Sequence, residues 1–251
     1  MRLLWMLPLL LSVTMGAAGS DRIEWEVIGK LPHSRSDFVQ GLEIRAGRLY
    51  QGTGLRGQSR LQVFDLQTGE LLRERALPAR YFGEGITVLG SRIIQLTWQA
   101  EKALVYRRAD LEPMGSFPLP GQGWGLTNDG SQLLYSDGSD TIRFISPRDW
   151  QVTGSLSVQR DGRPLSRLNE LEWTPRGLFA NIWLEDTIVL IDPVTGEVTG
   201  ELDLEGLLPR RERRRGTDVL NGIAYDGDTD TLWVTGKNWP WLYQLQLPAA
   251  E

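Results

Sequence analysis

The 251-residue chain contains no cysteine and only one histidine, His33. The absence of cysteine excludes disulfide bonds, thiolate metal sites and a cysteine nucleophile. A lone histidine excludes a catalytic histidine pair and any metal site built from several imidazoles. Acidic residues outnumber basic ones by 32 to 27, so the surface has no general attraction for nucleic acid or an anionic membrane. We therefore expect neither of these as a partner.

Long apolar runs are also lacking, apart from one near the start of the chain at residues 3–13. This run is too short for a membrane-spanning helix of about 20 residues. It follows Arg2 and precedes the small residues at 16–19, a pattern typical of a cleavable secretory signal peptide. The sequence predicts a signal peptide over residues 1–19, a secreted or periplasmic protein, and a single folded domain over residues 20–251. A retained membrane anchor is the alternative.

Five short segments of the chain resemble one another. Their second positions are separated by 44, 40, 45 and 52 residues, and the segments are residues 40–43, 84–87, 124–127, 169–172 and 221–224. A period of roughly 40–50 residues is typical of a four-stranded propeller blade. Each segment is followed by further β-rich runs separated by turn residues, such as Pro193-Val194-Thr195-Gly196.

The fifth unit lacks a fourth strand because the chain ends there, while an extra strand at residues 23–28 precedes the first unit. Pairing this strand with residues 241–247 would complete the last blade and remove an exposed sheet edge. The sequence therefore predicts an all-β fold, a five-bladed β-propeller closed by its N-terminal strand.

Propeller topology gathers the starts of the first strands and the ends of the second strands on one face. These ten positions are Gln40, Glu84, Trp124, Asn169, Asn221, Gly54, Trp98, Gly138, Trp183 and Lys237. Three tryptophans with a few convergent polar groups are typical of a small-ligand pocket. The alternative is structural, with the polar side chains satisfying loop backbone and the indoles filling the channel.

The polar members of this set favour acid–base chemistry. A carboxylate desolvated among indoles has a raised pKa, which would suit Glu84 to proton transfer near neutral pH. Lys237 and Asn169 could donate hydrogen bonds to a developing oxyanion.

Ten segments carry a resemblance to a known family. They include Phe82-Gly83-Glu84-Gly85 and Gly236-Lys237-Asn238-Trp239-Pro240, and they cover residues 38–42, 53–59, 82–87, 96–98, 123–127, 135–139, 168–173, 180–183, 220–224 and 233–240. Together they resemble the plant and bacterial glutaminyl-peptide cyclotransferases, from about residue 38 to residue 243. That family folds as a five-bladed propeller, in agreement with the repeat count.

The resemblance implies an enzyme, an acyltransferase that converts the N-terminal glutamine of a peptide or protein to pyroglutamate and releases ammonia. The family's catalytic residues fall on Glu84, Asn169 and Lys237, and its substrate-binding residues fall on Gln40, Trp98, Trp124 and Trp183. All seven are unaltered. No cofactor or metal is implied, and we expect a monomer whose partner is a substrate with N-terminal glutamine.

Two other function classes remain open from the residues alone. A metal-dependent propeller hydrolase, such as a lactonase, would need several carboxylates at the mouth, where the sequence places only Glu84. A non-catalytic propeller that binds peptides would need no unique acid.

Three further features of the sequence have simple structural interpretations. The acidic residues Asp226, Asp228 and Asp230 imitate the start of a calcium loop, but Thr231 stands where that loop requires glycine, so we predict a hairpin turn. His33 is expected to be a capping or surface residue. The arginine-rich run at residues 210–215 is either a solvated loop or a rim that attracts acidic residues downstream of the substrate glutamine.

Overall fold

The computed structural model describes residues 20–249, and the predicted signal peptide lies outside them. The described residues contain five blades of four antiparallel strands each, arranged as a propeller. One blade gains a fifth strand in parallel, and a two-stranded hairpin forms a separate sheet. The predicted all-β, five-bladed β-propeller is thus confirmed. No helix in residues 20–249 has the length and hydrophobicity needed to cross a membrane.

The strands follow one another in the order that the repeat predicts. Two strands precede the first blade: β1 (Asp21–Arg22) and β2 (Glu26–Pro32). Blade 1 contains β3 (Val39–Arg45), β4 (Arg48–Thr53), β5 (Arg60–Asp65) and β6 (Leu71–Ala76). Blade 2 contains β7 (Gly83–Leu89), β8 (Arg92–Thr97), β9 (Lys102–Arg107) and β10 (Pro113–Pro118). Blade 3 contains β11 (Leu126–Asn128), β12 (Leu133–Tyr135), β13 (Thr141–Ile145) and β14 (Val152–Ser157).

A small hairpin, β15 (Gln159–Arg160) and β16 (Arg163–Pro164), separates the third blade from the fourth. Blade 4 contains β17 (Leu168–Thr174), β18 (Gly177–Ile182), β19 (Thr187–Ile191) and β20 (Val198–Asp203). A 3₁₀ turn at Arg210–Glu212 leads to blade 5, which contains β21 (Leu220–Asp226), β22 (Thr231–Gly236) and β23 (Trp241–Gln246).

The core lies between neighbouring blades. The inner strands β3, β7, β17 and β21 are buried along nearly their whole length, whereas the outer strands β6 and β10 are mostly exposed. Between blades 1 and 2, for example, Leu61 and Val63 pack with Ile86 and Ile93. Each fully buried aliphatic side chain of this kind contributes about 1.5–3 kcal/mol, and the packing fixes the inner strands around one axis.

Glycine at the second repeat position allows the inner strands to meet at that axis. A Cβ atom on Gly41 would lie 2.5 Å from the backbone nitrogen of Ile86, and one on Gly125 would lie 2.0 Å from the carbonyl oxygen of Asn169. Both distances are shorter than any side chain tolerates. The recurring glycine therefore reflects the close approach of neighbouring inner strands.

The fourth repeat carries Glu170 instead of glycine at this position. Its carboxylate is fully buried and accepts hydrogen bonds from the backbone N–H groups of Leu42 (3.1 Å) and Ile223 (2.9 Å), in blades 1 and 5. Burial raises the pKa of Glu170 well above its ordinary value. This glutamate joins three blades and has a structural explanation independent of any chemistry at the mouth.

The ring is closed as predicted, because β2 pairs antiparallel with β23 and completes blade 5. The predicted bounds of the closing strand, residues 23–28, are wrong: the strand is Glu26–Pro32. The residues before it belong to blade 4, where β1 pairs in parallel with β20. Ile23 packs on Gly200, and the indole N–H of Trp25 donates to the carbonyl oxygen of Asp203 (2.8 Å). These apolar residues cover the outer edge of blade 4, which explains why they imitate a core-facing strand.

Candidate active site

All seven residues that the sequence predicted as site residues line one pocket at the mouth of the propeller. Its volume is about 400 Å³, and its lining consists of Phe38, Gln40, Phe82, Glu84, Trp98, Trp124, Asn169, Trp183, Leu184, Asp218 and Lys237. The lining combines five aromatic side chains and one leucine with five polar side chains, and such a mixture of apolar and polar groups is typical of a small-ligand site.

A repeated β-bulge aims the polar side chains at this pocket. The pairing register shifts at Gln40, at Glu84, at Asn169 and at Asn221, where each inner strand has one residue more than its partner. Such a bulge bends the strand and redirects a side chain. Four blades therefore present the residue at the start of their inner strand toward the central mouth.

The aromatic wall is held by edge-to-face contacts and by one glutamine. The rings of Trp124 and Trp183 meet at 5.6 Å between centroids with an interplanar angle of 86°. The Oε1 atom of Gln122 accepts hydrogen bonds from the indole N–H groups of Trp98 (2.7 Å) and Trp124 (3.2 Å). Gln122 thus fixes the orientation of two of the three tryptophans.

The three remaining predicted mouth positions support the pocket without lining it. Gly138 has a φ of +84°, and a Cβ atom there would lie 2.8 Å from the Trp124 ring. A Cβ atom on Gly54 would lie 2.4 Å from the ring of Phe82, so both glycines make room for an aromatic side chain. Asn221 donates to the Oε1 atom of Gln40 (3.2 Å), and Gln40 itself lines the pocket.

Glu84 and Lys237 are the principal ionisable pair of the pocket, and both are buried, with 4% and 6% of their surface exposed. Burial raises the pKa of Glu84 well above its ordinary value of 4.5, and the positive charge of Lys237 opposes this shift. Burial lowers the pKa of Lys237 below 10.5, and the charges of Glu84 and Asp218 oppose that shift. Both groups are therefore moved toward the neutral range, where proton transfer is most effective.

The sequence analysis missed four lining residues. Two of them, Phe38 and Phe82, occupy equivalent repeat positions, two residues before Gln40 and Glu84. Gln122, which orients the tryptophans without lining the pocket, occupies the same position in the third blade. The repeat itself could have identified them. Leu184 and Asp218 lie in loops outside the repeat and carry no comparable signal.

The features set aside in the sequence take ordinary structural roles. Asp226 accepts hydrogen bonds from Asp228 N–H (3.1 Å) and the Thr229 hydroxyl (2.7 Å) within the predicted hairpin turn. His33 joins blades 5 and 1, with ring nitrogens 3.0 Å from the Trp239 carbonyl oxygen and 2.8 Å from Gln51 Oε1. Within residues 20–249, no three His, Asp or Glu side chains cluster in a way that could hold a metal ion.

The arginine-rich run lies beside the pocket. A second cavity of about 340 Å³ shares Leu184 and Asp218 with the main pocket, and Arg213 lines it. The other arginines of the run, at 210, 211, 214 and 215, are exposed. That the run attracts acidic substrate residues stays a prediction.

Comparison with known proteins places the chain in a family. Residues 3–247 match the family model for glutamine cyclotransferase. The chain is 40% identical over 240 residues to a glutaminyl-peptide cyclotransferase of Arabidopsis thaliana, covering 92% of this chain and 74% of that protein. Its fold matches the crystal structure of Myxococcus xanthus glutaminyl cyclase with a TM-score of 0.84 and 29% identity, over 92% of this chain and all of that one (100%). The chain belongs to the glutamine cyclotransferase family.

Proposed function

We propose that this pocket converts the N-terminal glutamine of peptides and proteins to pyroglutamate, with Glu84 as the proton shuttle. The observation that carries the proposal is the pairing of a buried carboxyl group with a buried lysine inside an aromatic pocket. Membership of the family, together with relatives named glutaminyl-peptide cyclotransferase and glutaminyl cyclase, supports the same reaction.

The substrate supplies both reacting groups. Its α-amino group has a pKa near 8, so a fair fraction of it is neutral at physiological pH. The neutral nitrogen attacks the carbonyl carbon of its own side-chain amide and closes a five-membered ring. A pocket that holds the substrate glutamine in this bent conformation accelerates ring closure, because the two reacting groups are already positioned. The walls formed by Trp98, Trp124 and Trp183 and the side chain of Gln40 are suited to this task.

The proton balance needs one group that both accepts and donates. As the C–N bond forms, the attacking nitrogen becomes positively charged, and Glu84 takes a proton from it. Glu84 then returns this proton to the amide nitrogen, the C–N bond of the side-chain amide breaks, and ammonia leaves. Lys237 and Asn169 donate hydrogen bonds to the oxyanion of the tetrahedral intermediate. Asn169 is only 2% exposed and lines the pocket.

The direct test is incubation of the purified protein with a peptide that begins with glutamine. We expect release of one ammonia per peptide and a product lighter by that mass. The same peptide with an acetylated N-terminus lacks a free amine and should remain unchanged. Absence of product from the free peptide would overturn the proposal. Activity that is lost on chelation of metal would instead favour a metal-dependent hydrolase.

The ionisation of the pair predicts a bell-shaped dependence of kcat on pH. Glu84 acts as a base only when ionised, so kcat should rise with pH through its raised pKa, above 4.5. Lys237 donates as a cation, so kcat should fall as pH passes through its lowered pKa, below 10.5. Both limbs belong to the coupled pair rather than to single residues.

Lys237→Ala tests this assignment of the alkaline limb. The variant should lose that limb and lower kcat by about 10²–10³-fold, the range seen for oxyanion donors. The check is a kcat profile of the wild type and the variant over the same pH range. An unchanged alkaline limb in the variant would show that another group titrates there.

We further propose that the protein is exported and that its first 19 residues are removed. The charged start, the short apolar run and the small residues at 16–19 support this. N-terminal sequencing of the exported protein should begin between Ala18 and Asp21. A mature chain that still begins at Met1 would contradict cleavage.

A further inference from the structure

Asp218 is a carboxylate of the pocket to which the reaction described above assigns no role. It lies just before β21 and lines both the main pocket and the neighbouring cavity, so it stands where the two meet. Apart from Glu84, it is the only acidic side chain among the described residues that line the main pocket.

The backbone of Asp218 is fixed directly beside Lys237. Its N–H donates to the carbonyl oxygen of Lys237 (3.0 Å), and its own carbonyl oxygen accepts from the indole N–H of Trp239 (2.9 Å). The position of the carboxylate relative to the pocket is therefore set by the same segment that carries the lysine.

The carboxylate of Asp218 acts on Lys237 through its charge but has few direct partners. One carboxylate oxygen accepts a hydrogen bond from the N–H of Val219 (2.7 Å), and no basic side chain within residues 20–249 forms an ion pair with it. The side chain is exposed to solvent at the mouth, so its carboxylate is not desolvated. Glu84 differs, because burial favours its neutral form. The carboxylate of Asp218 is thus the group that supplies negative charge to the pocket.

The substrate carries a matching positive charge. At neutral pH most of its N-terminal amine is protonated, and the nitrogen is positively charged again when it attacks the amide carbon. An internal glutamine has no such charge. The pocket also contains the cation of Lys237, which repels an ammonium group and makes a compensating anion necessary.

We propose that Asp218 anchors the N-terminal ammonium group of the substrate and so selects terminal over internal glutamine. This inference rests on the proposed cyclisation and adds a binding residue to it. The charged groups that face Asp218 are Lys237 and Glu84 from the main pocket, and Asp186 and Arg213 across the neighbouring cavity. Arg213 lies 3.9 Å from Asp186, and within residues 20–249 it forms no ion pair with Asp218.

The test is Asp218→Asn, measured on a glutamine-initiated peptide across a range of pH. We expect KM to rise about tenfold near pH 7, because a charge-assisted contact is lost. We expect kcat not to fall, because the anchored ammonium group must first release a proton to solvent, and the neutral amine then attacks whether or not residue 218 is charged. The rise in KM should shrink above about pH 9, where the free amine is neutral. Asp218→Glu should restore most of the affinity.

Glu205→Gln is the matched control, because it removes an exposed carboxylate that lines neither the main pocket nor the neighbouring cavity. It should leave KM close to that of the wild type. An unchanged KM for Asp218→Asn, or a loss of kcat that is equal at every pH, would overturn the anchor and leave the proposed function intact. A wild type that cyclises no glutamine peptide would overturn the proposed function itself.

Discussion

Glu84→Gln should lower kcat by about 10²–10⁴-fold, the usual worth of general acid–base catalysis, while the protein remains folded. Glutamine matches the size of glutamate and can hydrogen-bond, but it cannot accept a proton from the amine and return it to the leaving ammonia. The measurement is cyclisation of a glutamine peptide by the purified variant, alongside its thermal melting curve.

The same substitution has a predictable effect on stability. Burial raises the pKa of Glu84 in the folded protein above its unfolded value of 4.5. The stability linked to this group is therefore fully present below 4.5 and is lost as pH rises through the raised pKa. Glu84→Gln removes this loss, so above that pH the variant should melt no lower than the wild type.

Glu172→Gln provides the matched control. Glu172 is also a buried glutamate with a raised pKa, but it lies outside the pocket and accepts a hydrogen bond from the N–H of Tyr225 (2.8 Å). This variant should retain kcat even where its melting temperature changes. Near wild-type turnover from a well-folded Glu84→Gln variant would rule out Glu84 as the proton shuttle and leave Asp218 as the remaining acidic residue among the described lining residues.

Deleting residues 20–32 should prevent stable folding or cause aggregation. The deletion removes all of β2, so β23 becomes an unpaired sheet edge and blade 5 loses its fourth strand. Exposed strand edges pair readily with other chains. Thermal melting and size-exclusion chromatography of the truncated protein would measure the loss.

A shorter deletion separates ring closure from the covering of blade 4. Deleting residues 20–25 removes β1 and the contacts of Ile23 and Trp25 with blade 4, but it leaves β2 paired. The shorter variant should fold with a moderately lower melting temperature. Equal melting of the wild type and the 20–32 variant would contradict closure of the ring by β2.

The repeat made most of the fold predictable. The period of the repeat predicted four-stranded blades, and its five copies predicted five of them. The missing fourth strand of the last unit predicted closure of the ring. The bounds of the closing strand were not predictable, because Ile23 and Trp25 bind the edge of blade 4 and pack on the core shared by blades 4 and 5. A short apolar pattern shows that one face is buried, but it does not show which neighbouring sheet covers it.

The site was predictable where it follows the repeat and not elsewhere. Gln40, Glu84 and Asn169 lie at equivalent bulges, so one geometric rule brings them to one mouth. Asp218 lies in a loop that varies in length from blade to blade, and only the folded chain places it in the pocket. Glu170 lies in the same recurring segment as Asn169, but its carboxylate bonds to neighbouring blades instead of lining the pocket.

The most direct test of the account is the structure of the Glu84→Gln variant bound to a glutamine-initiated peptide. We predict the terminal glutamine side chain in the aromatic pocket between Trp124 and Trp183, with its α-amine at residue 84 and its amide oxygen toward Lys237 or Asn169. A peptide bound elsewhere on the propeller, or with its amine directed away from residue 84, would contradict the account.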